Sequence, residues 1–170
     1  TGLKPGNICQ LSYMLVDTSA KPTKTIGKNI FFAVDYIEPS AEKVHGFSVE
    51  TLYKLSSGMN FKDHLDEFLN DFQNADILIN IKHTFCTMNY YKNICNLKNR
   101  YNKCKAPRLE EVIRFLHIED PYINSVSKKY FNGTGNFHDA RFDTTATYLI
   151  VTEGIKKGYI PKRYFSHIIQ

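Results

Sequence analysis

The chain has 170 residues, 42% hydrophobic and 23% charged, and 22 Lys and Arg against 17 Asp and Glu leave a net charge of +5. Twelve Phe and 11 Tyr carry too much apolar mass for a disordered polymer, and no run of 18 apolar residues offers a membrane span. One domain over residues 1–170, with a continuous core, is the expectation. No charged-then-apolar leader follows Thr1, and four cysteines are too few for a disulfide scaffold, so a cytoplasmic protein with free thiols is expected.

Residues 8–17 read as a strand, because Leu11, Tyr13 and Leu15 alternate with Gln10, Ser12 and Met14 before the turn-forming Asp17-Thr18-Ser19. A polar loop with Pro22 and Gly27 is expected next. Ile30 to Ile37, aromatic and β-branched, then forms a second strand stopped by Pro39, antiparallel to the first. Ser48 caps a short helix carrying Leu52 and Leu55. Phe61, Leu65, Phe68, Leu69 and Phe72 fall on one face of an amphipathic helix with Asn60 as its cap. The apolar run Asp76 to Ile81 reads as a buried strand. Helices follow from Phe85 to about Tyr101, over Leu109–Leu116, and from Asp143 to Gly154 or Gly158, with a loop over 132–136. The order predicts an α/β layered domain.

The four segments Thr1-Gly2-Leu3 with Ile8-Cys9-Gln10, His45-Gly46-Phe47-Ser48-x-Glu50-x-Leu52, the 76–81 strand with the helix after it, and His138-x4-Asp143-x2-Ala146-Thr147 occur in a telling order. That order resembles the DEDDh 3′→5′ exonucleases, whose fold is RNase-H-like: a mixed sheet flanked by helices. The first segment is similar to the tail of the family's first motif, Asp-x-Glu-Thr-Thr-Gly-Leu, and the strand after it. The second is similar to its His-Gly connector, and the last to its third motif, His-x4-Asp with a helical Ala-Thr tail.

In such enzymes clustered carboxylates hold two Mg²⁺ or Mn²⁺ ions, which clamp the attacking and leaving oxygens of an in-line phosphodiester hydrolysis. Carried over by resemblance, Asp143 is the last metal ligand and His138 the general base, a role suited to a side chain titrating near neutrality. The resemblance further places Thr1, Gly2 and Leu3 beside the terminal nucleotide, with His45 and Phe47 of the connector as weaker candidates for nucleic-acid contact. A single-stranded 3′ end is the implied substrate, and a polymerase or repair protein the implied partner.

Other parts of the family pattern are not met. The Asp-x-Glu pair would lie upstream of Thr1, so the central strand is expected outside this chain and the natural protein is expected to begin earlier. The second motif, His-Asn-x2-Phe-Asp, fits in two registers, which place Met88 or Cys86 where the acid belongs. From Lys82 to Arg108 the chain carries seven basic residues and no acid. This absence suggests a degenerate enzyme, a local sequence error or an acid supplied from elsewhere, and the alternative to an enzyme is an inactive domain that binds nucleic acid or a polymerase. With Tyr90, Tyr91 and Tyr101 interleaved, the same stretch reads equally as a single-strand track or as a solvated face. His83, Cys86, Cys95 and Cys104 are a further candidate set, for zinc, but only one pair has knuckle spacing, so free thiols remain the expectation.

Overall fold

Strand β1 (Gln10–Asp17) and strand β2 (Lys24–Phe31) form an antiparallel pair running from Gln10 opposite Phe31 to Asp17 opposite Lys24. They belong to a computed structural model that describes residues 8–75, 85–133 and 135–162. The turn between them is built on Asp17, whose Oδ1 accepts from the Ser19 amide at 2.9 Å and the Ser19 hydroxyl at 2.6 Å. The second strand thus lies six residues earlier than Ile30, and Gly27 sits inside it opposite Met14 rather than in a loop. Pairing explains the shift. Beyond Phe32, whose amide reaches Cys9 O at 3.0 Å, the chain leaves β1, and the Ala33 amide donates instead to Met59 O at 2.7 Å. A strand ends where its ladder partner does, whatever its β propensity.

The two faces of this ribbon carry different chemistry, because successive side chains point to opposite sides. On one face Tyr13 packs edge-on against Phe68 of helix α3 (Leu65–Gln73), with ring centroids 5.8 Å apart, and donates to Asp71 Oδ2 at 2.7 Å. Lys28, its cross-strand neighbour, bonds Glu67 at 2.8 Å and Asp71. The other face carries Gln10, Ser12, Gly27 and Asn29 and is covered by helices α6 (Asp120–Phe131) and α7 (Ala140–Lys156). Its polar groups are satisfied in place: Ser12 donates to Asn29 Oδ1 at 2.6 Å, and Thr144 donates to Ser12 O at 2.9 Å. Helices therefore flank the sheet on both sides.

Four further helices complete the described residues: α1 (Pro39–His45), α2 (Val49–Leu55), α4 (Thr87–Cys95) and α5 (Leu109–Phe115). Ser48 caps α2 through a 3.1 Å bond from the Thr51 amide. Asn60 caps a single 3-10 turn, Phe61–His64, that leads into α3. Among the described residues the chain is thus a mixed α/β structure of seven α-helices and one two-stranded sheet. The expected strand at 76–81 lies outside the described residues. Helix α4 stops at Cys95 instead of running to Tyr101, because Asn96 turns left-handed (φ 47°) and frees the following residues for a hairpin. Helices α1 and α6 were not foreseen. Both are built with Pro in the first turn, where a missing amide costs nothing.

The core lies among the helices. Phe142, Ala146, Leu149 and Ile150 recur at helical spacing on α7 and are buried against Val112, Ile113 and Leu116 of α5, Tyr91 of α4 and Ile123 of α6. Each large aliphatic group so buried contributes about 1.5–3 kcal/mol. No helix among the described residues is long and apolar enough to cross a membrane.

Candidate functional site

The start of α7 is held by an Asp–Arg pair and by a strand side chain. Asp139 caps the helix, its Oδ1 accepting from the Arg141 amide at 2.9 Å. The Arg141 side chain folds back on the same carboxylate, Nε to Oδ1 at 3.0 Å and Nη2 to Oδ2 at 2.6 Å. From β1, Gln10 donates to Asp139 Oδ1 at 3.3 Å and accepts from the Ala140 amide at 3.2 Å. Four donors therefore meet the Asp139 carboxylate, which fills its usual acceptor capacity. Burial pushes its carboxyl pKa up, but the Arg141 bonds and charge, with Gln10, outweigh this and hold it below the ordinary carboxylate value.

Asp143 sits one turn further along, its amide bonded to Asp139 O at 3.0 Å. Its carboxylate is half-buried and close enough to the His138 backbone to feel it. Burial raises its pKa; the His138 amide and imidazole oppose this, and the Asp139 charge adds to it. His138 itself is exposed and left-handed, at φ 77°. A non-glycine residue in that region is held there by its surroundings at some cost. The proposed base and ligand are thus neighbours through His138's backbone, with its imidazole left in solvent.

The connector joins the same place from the other side. His45 ends α1, accepts from the Phe47 amide at 3.0 Å through Nδ1, and stacks on the Phe47 ring at 5.6 Å. Phe47 packs edge-on against Phe31 at 5.3 Å, and the Arg141 guanidinium lies 5.8 Å from the Phe31 ring. A continuous line of contacts therefore runs from His45 through Phe47, Phe31 and Arg141 to Asp139 and Gln10. Gly133 borders this line, since a Cβ there would collide with the Arg141 guanidinium.

Tyr91 does not belong to this site. It is fully buried, and its hydroxyl donates to Ile150 O at 3.1 Å, so it has no face for a base. Its burial follows from α4 packing on α7, which the interleaving of Lys and Tyr did not reveal. Tyr90 is half-buried, donates to Tyr159 O at 3.0 Å and packs on Phe85 at 5.0 Å. Thr1, Gly2, Leu3 and His83 lie outside the described residues. Cys86, Cys95 and Cys104 are free thiols, and burial pushes the Cys95 thiol pKa up.

Asp139, Arg141, Gln10 and Phe31 were not singled out from the sequence. The available signal was an Asp directly before a helix with an Arg two positions on, a pattern that caps and clamps at once.

A pair of divalent cations needs several carboxylates with vacant oxygens. Among the described residues no group of three or more His, Cys, Asp or Glu side chains converges as metal ligands, and of the two acids here Asp139 is already committed to Arg141 and Gln10. The donor set described does not fit two cations. Compared with protein-family models, with curated proteins and with solved structures, the chain matches none.

Proposed function

We propose that the chain is a DEDDh-exonuclease-like domain of RNase-H-like fold that engages single-stranded 3′ ends of nucleic acid. The observation that supports this reading is the convergence of three motif segments far apart in sequence. Gln10, the His45–Phe47 connector and the His138–Asp143 helix start meet through Phe31 and Arg141. Helices on both faces of the sheet agree with such a fold. In this reading Asp143 would be one cation ligand and His138 the group beside the attacking water. The remaining ligands are not among the described carboxylates, so the chain is expected to cut weakly.

A second reading, a domain that binds ends or a polymerase partner without cutting, is favoured by the closed Asp139–Arg141 pair. Both readings are tested with a labelled single-stranded oligonucleotide carrying a 3′-hydroxyl or a 3′-phosphate, with Mg²⁺ or Mn²⁺. Preferred binding of the 3′-hydroxyl end with slow cutting is expected. Metal-dependent cutting abolished by His138→Ala selects the enzyme; end-selective binding with no cutting selects the binder. Neither end preference nor cutting removes the enzyme and the end-binder alike.

A further inference from the structure

We infer that the hairpin over residues 97–105 is a binding element for single-stranded nucleic acid, with Tyr101 as a base-stacking platform and Lys98, Arg100 and Lys103 as phosphate contacts. The inference rests on the nucleic-acid reading above but not on catalysis.

The hairpin is an ordered structure. Lys98 and Cys104 are bridged antiparallel, the Lys105 amide donates to Leu97 O at 2.9 Å and the Asn99 amide to Lys103 O at 2.9 Å. At the tip the Asn99 side-chain oxygen accepts from the Tyr101 amide at 2.9 Å and the Lys103 amide at 3.0 Å, while Asn102 takes the left-handed turn position at φ 59°. The base of the hairpin is pinned twice, by Cys104 Sγ to Lys92 O of α4 at 3.5 Å and by Lys105 to Glu111 of α5.

The tip displays one aromatic ring and three cations. Tyr101 is 66% exposed, and the Arg100 guanidinium lies 4.7 Å from its ring centroid. Lys98, Arg100 and Lys103 are all exposed, and among the described residues none of them has a carboxylate within ion-pair distance. No acid occurs anywhere from Lys82 to Arg108. Cations with no internal partner neutralise phosphates, and an exposed aromatic ring backed by Arg stacks on an unpaired base. A short rigid hairpin presents both without the ordering cost of a flexible loop. A duplex keeps its base faces stacked internally, so the ring specifies a single strand.

The test uses the full chain and a fluorescein-labelled oligothymidylate, titrated by anisotropy over a range of salt. Wild type should bind, with affinity falling as salt rises. The triple variant K98Q/R100Q/K103Q should flatten the slope of log affinity against log salt by about 2 and bind about tenfold more weakly at low salt. Tyr101→Ala should keep the slope and lose about fivefold or more, whereas Tyr101→Phe should bind as wild type does. Circular dichroism should show unchanged helix content in all three, since every altered side chain is exposed. Wild-type affinity in both the triple variant and Tyr101→Ala, equal competition by polyglutamate, or no binding by wild type at low salt overturns the assignment. If the hairpin variants lose affinity but 3′-hydroxyl and 3′-phosphate ends bind alike, the end-binding function falls and the hairpin stands. The reverse pattern removes the hairpin alone.

Discussion

Gln10 reaches across 130 residues of sequence to accept the Ala140 amide at 3.2 Å, so a side chain on the first strand supplies one of the partners that the start of α7 requires. The first amides of any helix lack internal acceptors, and this one is satisfied by the sheet. The Gln10 side-chain Nε2 also donates to Asn29 Oδ1 at 2.8 Å and to Asp139 Oδ1 at 3.3 Å, which makes Gln10 a joint between the strands and the candidate site. Gln10→Ala is expected to cost about 1–2 kcal/mol in urea denaturation. Hydrogen exchange at Ala140 should quicken by more than that of Val112 and Ile113 in α5, which share only the global loss. Equal exchange at Ala140 in both proteins would show that the contact does not hold the helix start.

The two acids of the site respond to pH in opposite directions. Burial raises the Asp143 carboxyl, with His138 opposing and Asp139 adding, so the folded state retains a proton over a window in which the unfolded chain has released it. Stability contributed by this group therefore falls as pH rises through that window. Asp143→Asn, which keeps the shape of the side chain without its charge, should raise the denaturation midpoint at neutral pH. The gain should vanish below the unfolded carboxylate range. Asp139 is held low once Arg141 and Gln10 outweigh burial, so its contribution is present above the unfolded value and is lost as pH falls through the folded one. Asp139→Asn should accordingly destabilise at neutral pH. Paired denaturation curves at neutral and acid pH check both signs, and an Asp143→Asn gain that persists unchanged in acid would remove ionisation as the cause.

Several elements settled by neighbours in sequence were legible. The Ser48 and Asn60 caps, helix α5 and the first strand follow from turn residues and periodicity alone. Helices α1 and α6 were missed despite the Pro in their first turns, and the other failures at the sheet and the site were set by partners distant in the chain. Residues 32–37 have strand propensity but no ladder partner on β1, while 24–29, with two lysines and a glycine, are drawn into the sheet by pairing. Gly27 shows why this went unread: it stands in the strand because the Tyr130 carbonyl of α6 would lie 2.6 Å from any Cβ there. The close approach of a helix to a strand leaves no periodic trace. At the site, His138 and Asp143 were visible as a spaced pair, but the Asp139–Arg141 clamp depends on a guanidinium folding back and on Gln10 arriving from the sheet. Tyr91 is the converse case, an aromatic whose setting among lysines suggested solvent and whose packing is interior.

Gly154 and Tyr91 offer a test of that packing. A Cβ added at Gly154 would run into the Tyr91 hydroxyl and come within 3.0 Å of Ile160 Cδ1. Alanine improves helix propensity by about 1 kcal/mol over glycine, so an unhindered site would gain from Gly154→Ala. Here the hydroxyl is fixed by its bond to Ile150 O, and overpacking of about 1–3 kcal/mol should outweigh that gain. Tyr91→Phe removes the colliding atom and costs about 1 kcal/mol through the lost hydrogen bond. The double variant should therefore be more stable than the sum of the single effects predicts, with a coupling of about 1 kcal/mol by thermal or urea unfolding. Additive losses would mean that Ile160 rather than the hydroxyl limits the space. Tyr91→Phe should also leave oligonucleotide affinity unchanged, because the ring lies in the core where no base can reach it.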